Sequence, residues 1–445
     1  MLLEFRVENF KSFKDELVFS MQPAPKQKGL DYSIQTEYVG KKAYSSLSSA
    51  VIYGPNASGK SNIVAAIDVL KNIVLRGNIK NSDTRSTPNI AAFNLEFIPY
   101  RLNQESRPTS FTIKFIANNL LFEYVLKIDL GLFLKQDHLR EVLYEKLSIN
   151  NHLVMERDRD SLIVRSLENI KSINQYFNNT VNDNIDDVVD IAVGGLDRQE
   201  LFLINGFKTI FAKSLVSVIT TWFENKLIVL YQSDKVKAAP HILEKNENAI
   251  YIEKTLSQAA RIFGISSNGL GYKILNDTPT LVSLFQEDEE KGLAIPAEHY
   301  ESFGTLRFAR EFPVIIEAIA KGATLVVDEF DASIHPMALM NVINIFHNDD
   351  VNRNQAQLIF NTHNPIFLNA GLFRRDEIHF VERSDENGST HYTLADFKTS
   401  GEKAVRNGAD YMKNYFVNQY GAIRDVDFTP VINSLFEGGS NNGES

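Results

Sequence analysis

Gly54-Pro55-Asn56-Ala57-Ser58-Gly59-Lys60-Ser61 follows the apolar run Ser49-Ala50-Val51-Ile52-Tyr53 and precedes a helix-length segment, Ser61 to Arg76. Strand, glycine-bearing turn and helix in that order make a phosphate-binding loop. The spacing has a physical reason. Glycines let the backbone curl so that successive N–H groups face phosphate oxygens, Lys60 reaches the β- and γ-phosphates, and Ser61 holds a magnesium ion. The helix N-terminus behind the loop adds its partial positive charge. The candidate ATP contacts are therefore Asn56, Ala57, Ser58, Gly59, Lys60, Ser61 and Asn62, with Mg2+ beside Ser61.

Nucleotide binding becomes hydrolysis only with a magnesium carboxylate and a group that orients water. Leu325-Val326-Val327-Asp328-Glu329 supplies both, as a buried strand whose C-terminal end presents two adjacent carboxylates where ligands sit in open α/β sheets. Asp328 is the candidate metal ligand and Glu329 the candidate catalytic base. Phe360-Asn361-Thr362-His363-Asn364-Pro365 closes the next strand and places His363 within reach of a γ-phosphate. Glu301-Ser302-Phe303-Gly304-Thr305 opens a helix about 25 residues before the carboxylates, and Ser302 with Gly304 at a helix N-terminus makes a second phosphate-oxygen site.

Composition narrows the class. The chain has 445 residues, 44% hydrophobic, enough for one large α/β domain with an insertion or for two domains. It has no cysteine, which removes disulfide frameworks, thiolate zinc sites and cysteine nucleophiles and fits a cytoplasmic protein. The start, Met1-Leu2-Leu3-Glu4-Phe5-Arg6, lacks a signal-peptide profile, and the most apolar stretch, Phe202 to Phe223, carries Lys208 and Lys213, so no membrane partner is expected. A net charge of −10 argues against a broad basic footprint for nucleic acid, while leaving room for a local groove that takes DNA or RNA. The acidic clusters Asp183 to Asp190 and Glu287 to Glu290 lack the glycine and distal glutamate of a calcium loop and read as solvated faces.

Along the chain, alternation in the first twenty residues predicts two strands around Asn9 to Asp15. Segments Phe93 to Ile98, Ser110 to Ile116, Leu121 to Leu130 and Glu141 to Ile149 predict a β-rich lobe. From 150 to 292 the pattern turns to helical periodicity, clearest in the stripe Leu203, Phe207, Phe211, Leu215, Val218 and Trp222. From Leu293 strands alternate with helices, as in a largely parallel sheet. An amphipathic helix, Ser400 to Val417, and a Gly/Asn/Ser-rich tail follow. The expected organisation is thus a split α/β nucleotide-binding head, 1–149 and 293–397, around a compact, mainly helical insertion, 150–292, with a C-terminal helix and tail, 398–445.

The order of these motifs resembles the ABC-type ATPase heads of the SMC and RecF-like group. Lys60 and Ser61 match Walker A, Ser302 and Gly304 the signature, Asp328 and Glu329 Walker B, and His363 the switch histidine. Asn9-Phe10-Lys11-Ser12-Phe13 is similar to the turn that begins many such heads, which makes Lys11 a candidate nucleotide contact. Ala332-Ser333-Ile334-His335-Pro336 resembles the D-loop of the compact branch of AAA-type ATPases from phage-resistance loci, placing His335 near a dimer seam. The ending from Asn414-Tyr415 through Tyr420-Gly421-Ala422-Ile423 is most similar to the RloA and AbiL-type ATPases. Glu301, Phe303 and Thr305 depart from the transporter signature, which excludes a transporter head. The Q-loop glutamine has no clear position; Gln104 is one option.

The resemblance implies homodimers, or higher homo-oligomers, with ATP held between Lys60 of one subunit and Ser302 with Gly304 of another. It further implies a switch that senses infection or nucleic-acid state and controls a separately encoded effector, a nuclease or toxin. Two other readings compete. A nucleic-acid-processing enzyme would use Asp425-Val426-Asp427 as part of a TOPRIM-type site, but too few residues follow His363 for that domain. A non-hydrolysing scaffold would not need the Asp328-Glu329 pair.

Overall fold

The computed structural model describes residues 1–25, 27, 29–80, 97–133, 138–164, 185–206, 213–231, 250–251, 258, 269–275, 278–288, 291–332, 334–384, 386, 388–398, 409–423, 427–430 and 433. In chain order the N-terminal part carries β1 (Leu2–Glu8), β2 (Leu17–Ser20), β3 (Ile34–Val39), β4 (Lys42–Leu47), β5 (Ser49–Tyr53) and α1 (Lys60–Arg76). The lobe strands are β6 (Thr109–Ala117), β7 (Leu120–Asp129), β8 (Glu141–Ile149), β9 (His152–Asp158) and β10 (Ser161–Val164). Then come α2 (Ile185–Gly194), α3 (Lys213–Thr221), β11 (Leu227–Leu230), β12 (Ile250–Tyr251), β13 (Gly269–Leu275), β14 (Thr278–Asp288) and β15 (Lys291–Pro296). The last part holds α4 (Phe303–Lys321), β16 (Thr324–Val327), α5 (Pro336–Phe346), β17 (Gln357–Asn361), β18 (Ile378–Ser384), β19 (Gly388–Thr393) and α6 (Tyr411–Phe416).

The sheet that matters for function runs β11-β16-β17-β5-β18-β19. Its first five strands are parallel and β19 returns antiparallel to β18. Strand β5, from the N-terminal part, is therefore flanked on both sides by strands from beyond residue 356, and the two distant sections of chain do build one sheet. Its central strands are apolar on both faces because both faces are covered. In β5, Ala50 and Ile52 face α1 and the β lobe, while Val51 and Tyr53 pack with Leu339, Ile343 and Phe380. The helix α1 buries Ile63, Ile67, Leu70, Ile73 and Val74 against this sheet and ends at Gly77 in the left-handed conformation of a C-cap. A second, antiparallel sheet, β10-β9-β8-β7-β6-β1-β2, forms the β lobe.

The segment 150–292 departs from the helical pattern read in its sequence. Its described residues contain α2 and α3, but also β9 and β10, which extend the lobe, and β13 and β14 with β12 and β15 in a sheet of their own. More consequential, β11 pairs in parallel with β16, Leu230 opposite Val327, so this segment contributes a strand to the nucleotide sheet. Leu203, Leu215 and Trp222 of the predicted stripe are buried in the core, Trp222 stacked on Phe115 at 3.9 Å; Phe207 and Phe211 lie outside the described residues. Ile98 is in no strand, and 93–96 lie outside the described residues. So do 400–408 of the predicted last helix, and Asp425 and Val426. No helix among the described residues is long and apolar enough to cross a membrane.

Candidate active site

The parallel strands put every sequence-predicted catalytic group of the chain at one edge of the sheet. The phosphate loop follows β5, Asp328 and Glu329 follow β16, and His363 stands two residues beyond β17. Asp328, Glu329 and Asp331 all act on the charge of Lys60, and the same four groups act on His363.

The loop is shaped by where its carbonyls go. Lys60 Nζ donates to the carbonyls of Gly54 at 2.8 Å and Pro55 at 3.1 Å. The Ala57 carbonyl accepts from Arg383 at 3.3 Å, that of Ser58 from the Ser389 hydroxyl at 2.5 Å, and that of Gly59 from the Asn62 N–H at 3.0 Å. Because the C=O and N–H of a trans peptide point in opposite directions, tying carbonyls inward turns N–H groups outward. No described residue accepts from the N–H groups of Gly59, Lys60 or Ser61. Helix α1 has no side-chain cap and no acidic residue in its first turn, so its N-terminal donors and dipole are left for an anion. The Ser58 hydroxyl is buried with no partner among the described residues. Gly59 has φ +114°, and a Cβ there would stand 2.6 Å from the Ser12 hydroxyl and 2.7 Å from that of Ser389, so no other residue fits.

Lys60 is 5% exposed, and burial pulls its ammonium down to about 8 against the opposing pull of Asp328, Glu329 and Asp331. Phosphate charges restore the protonated form, so binding above pH 8 takes up a proton. ATP affinity should therefore be flat below pH 8 with respect to this group and fall by up to about tenfold per pH unit above it. Calorimetry at pH 9 in two buffers of different ionisation enthalpy should give different apparent heats; equal heats would count against this role for Lys60.

The carboxylate end is built from residues the sequence did not single out. Asn361, the last residue of β17, donates from Nδ2 to Asp328 Oδ1 at 2.5 Å and accepts the Glu329 N–H on Oδ1 at 2.5 Å. Arg307, buried in α4, donates to the Glu329 carbonyl at 2.7 Å and the Asp328 carbonyl at 3.3 Å, and pairs with Glu311 at 2.9 Å. These bonds hold Glu329 at φ +52°, a left-handed conformation that costs a non-glycine residue about 1–2 kcal/mol. Asp328 and Ser61, in the first turn of α1, are the oxygen donors that would hold a magnesium ion, its remaining oxygens coming from phosphates and water. His363 is exposed at the rim, and partial desolvation followed by the Lys60 charge lowers its titration below the ordinary histidine value.

Ser302 caps α4 itself, its hydroxyl accepting from the Thr305 N–H at 3.2 Å. Ser302 is exposed and Gly304 half-buried at that helix start. The turn bearing Lys11 lies against the loop, since Asn62 donates to the Ser12 hydroxyl at 2.7 Å. The Lys11 ammonium donates to Tyr231 at 3.3 Å, just past the end of β11. Gln104 sits in an exposed turn, whereas the residue after Tyr231 in the sequence is Gln232, outside the described residues. His335 caps α5 through Nδ1, with Met337 N–H at 3.2 Å. Asp427 accepts from the Thr429 N–H, as in a simple turn. Arg307, Arg383 and Ser389 lie in no motif, and Asn361 lies inside the quoted run before His363, where the sequence alone gives it no role.

A parallel sheet with a phosphate loop after one strand and adjacent carboxylates after another, with one strand between them, defines a P-loop ATPase head. The chain belongs to the family described as "AAA domain, putative AbiEii toxin, Type IV TA system", whose model matches residues 49–369. This agrees with the resemblance to ATPases of phage-resistance loci read from the motifs. No curated protein matches the chain. Among solved structures it is similar to an Smc head bound to the C-winged helix domain of ScpA, at 13% identity and TM-score 0.36 over 88% of this chain and 97% of that one. It is also similar to the Smc head with an extended coiled coil, bound to the C-terminal domain of ScpA, from Pyrococcus furiosus (15%, 0.35, 88% and 96%). A third is the Smc head with a coiled coil and joint from Pyrococcus yayanosii (12%, 0.36, 88% and 96%).

Proposed function

We propose that this ATPase is a switch whose heads engage face to face, each ATP lying between Lys60 of one copy and Ser302 with Gly304 of the other. Lys60, the N–H groups of the loop and Lys11 grip the nucleotide from one side; Ser61 and Asp328 hold Mg2+; Glu329 polarises water and His363 reports the γ-phosphate. The observation that supports this reading best is the double duty of α4. Its exposed first turn offers donors to a second copy, and five residues on, about 7.5 Å along the axis, Arg307 holds the backbone of Glu329. Engagement of Ser302 by a γ-phosphate would take its hydroxyl proton as a donor beside the bond it accepts from Thr305 and be felt at the catalytic turn; cleavage would release it. In the cytoplasm such a cycle would control a partner effector, a nuclease or toxin, in antiphage defence.

Sedimentation velocity of the full chain tests the core of this reading. With Mg2+ and ATP the sedimentation coefficient should rise to that of a dimer, and with ADP it should fall back. Ser302→Arg should keep ATP binding yet remain monomeric. Identical sedimentation of wild type with ATP, with ADP and without nucleotide would reject head-to-head engagement.

A further inference from the structure

We infer that the β18–β19 hairpin is a positioning device for the phosphate loop, with Ser389 its working residue; this rests on the ATP-binding reading above. The Ser389 hydroxyl donates to the Ser58 carbonyl at 2.5 Å, and that carbonyl shares its peptide with the Gly59 N–H. Holding one aims the other outward. The adjacent Ala57 carbonyl is held by Arg383 of the same hairpin at 3.3 Å. Ala57 itself sits at φ +62°, a conformation that L residues leave unless their surroundings fix it.

The hairpin can act this way because it is itself anchored. The Ser389 N–H donates to the Ser12 carbonyl at 2.7 Å, and the Ser12 hydroxyl accepts from Asn62 at 2.7 Å. Gly388, at φ +77°, passes so close to the Ser12 carbonyl that a Cβ there would stand 2.6 Å from its oxygen. Three sections of chain, the turn at Ser12, the loop before α1 and the hairpin more than 300 residues later, thus interlock around Gly59. The loop's own sequence specifies glycines and a lysine; the outward direction of the Gly59 N–H is imposed from outside the motif. Ser389 does not touch the reacting atoms in this arrangement, so its effect is on how the nucleotide is received.

The test uses the full chain with the fluorescent nucleotides mant-ATP and mant-ADP, comparing wild type with Ser389→Ala. Losing one hydrogen bond that orients a phosphate donor should weaken both nucleotides about five- to tenfold. The melting temperature without nucleotide should stay within about 2 °C, and the β-phosphorus resonance of saturating ADP should move. Unchanged affinity in Ser389→Ala overturns the inference. So does a loss of affinity that comes with an equal fall in nucleotide-free melting temperature and an unmoved β-phosphorus resonance, because that pattern marks a general structural defect. Absence of mant-ATP binding by wild type would sink the ATP reading itself and this inference with it.

Discussion

Glu329→Gln should leave ATP bound and lower its turnover at least about a hundredfold. The substitution is clean because the geometry that aims this side chain is made by the backbone. The Glu329 N–H is held by Asn361 at 2.5 Å and its carbonyl by Arg307 at 2.7 Å, and neither bond involves the carboxylate. Gln has the same length and tolerates the same φ of +52° no worse than Glu does. What disappears is the negative charge that would draw a proton from the attacking water, and loss of a positioned base is worth roughly 10²–10⁴ in rate. Lys60, Ser61 and Asp328 are untouched, so ATP affinity should change by less than about threefold. Phosphate release under saturating ATP measures the first effect and mant-ATP titration the second. Because uncleaved γ-phosphate persists, the variant should also stay dimeric longer than wild type in sedimentation after nucleotide is diluted. Turnover equal to wild type would remove Glu329 from the mechanism and point to Asp331 or His363, which share its electrostatic neighbourhood.

Legibility in the sequence divides along a physical line. The phosphate loop, the Asp328-Glu329 pair and His363 were readable because each follows a short, wholly buried strand with an apolar centre, and a parallel sheet buried on both faces writes itself as such runs. The splitting of the sheet was readable for the same reason, from β5 before and β16 and β17 after. Strand β11 was not. Leu227-Ile228-Val229-Leu230 is four apolar residues at the end of a helical stretch, and at that length periodicity cannot separate strand from buried helix. Missing β11 also left Gln104 as an option that the fold places in an exposed turn. Residues that orient the site were invisible for another reason. Asn361, Arg307 and Ser389 act on backbone groups 32, 22 and 331 positions away, and nothing local distinguishes them from any other polar residue on a strand end or helix. Motifs record the groups that face the ligand; the groups that hold the motif in shape are set by topology.

Lys60→Met should abolish useful ATP binding while leaving the nucleotide-free protein as stable as before, or more so. The ammonium of Lys60 is buried and its charge disfavoured there, which is why it is held down to about 8 rather than 10.5. It persists without ligand by donating to the Gly54 and Pro55 carbonyls. A charge-assisted bond contributes about 1.5–3 kcal/mol, so losing one or two to phosphate oxygens weakens ATP by roughly 10²–10³-fold. Methionine fills the same space without a charge to desolvate, which offsets the two carbonyl hydrogen bonds it gives up. Stability and function then move in opposite directions, as expected where a site is built for a ligand rather than for the fold. The pH dependence gives a second signature. With the folded value near 8 and the unfolded value near 10.5, the unfolded chain binds more protons between them, so wild-type stability rises as pH climbs through that window. Lys71, also lowered by burial, adds to the same rise, so the methionine variant should show a smaller one. Chemical denaturation at pH 7.5 and pH 10, with and without ATP, reads both effects. A variant that binds ATP normally, or one that is markedly less stable than wild type at pH 7.5, would show that Lys60 serves the structure of the loop and not its ligand.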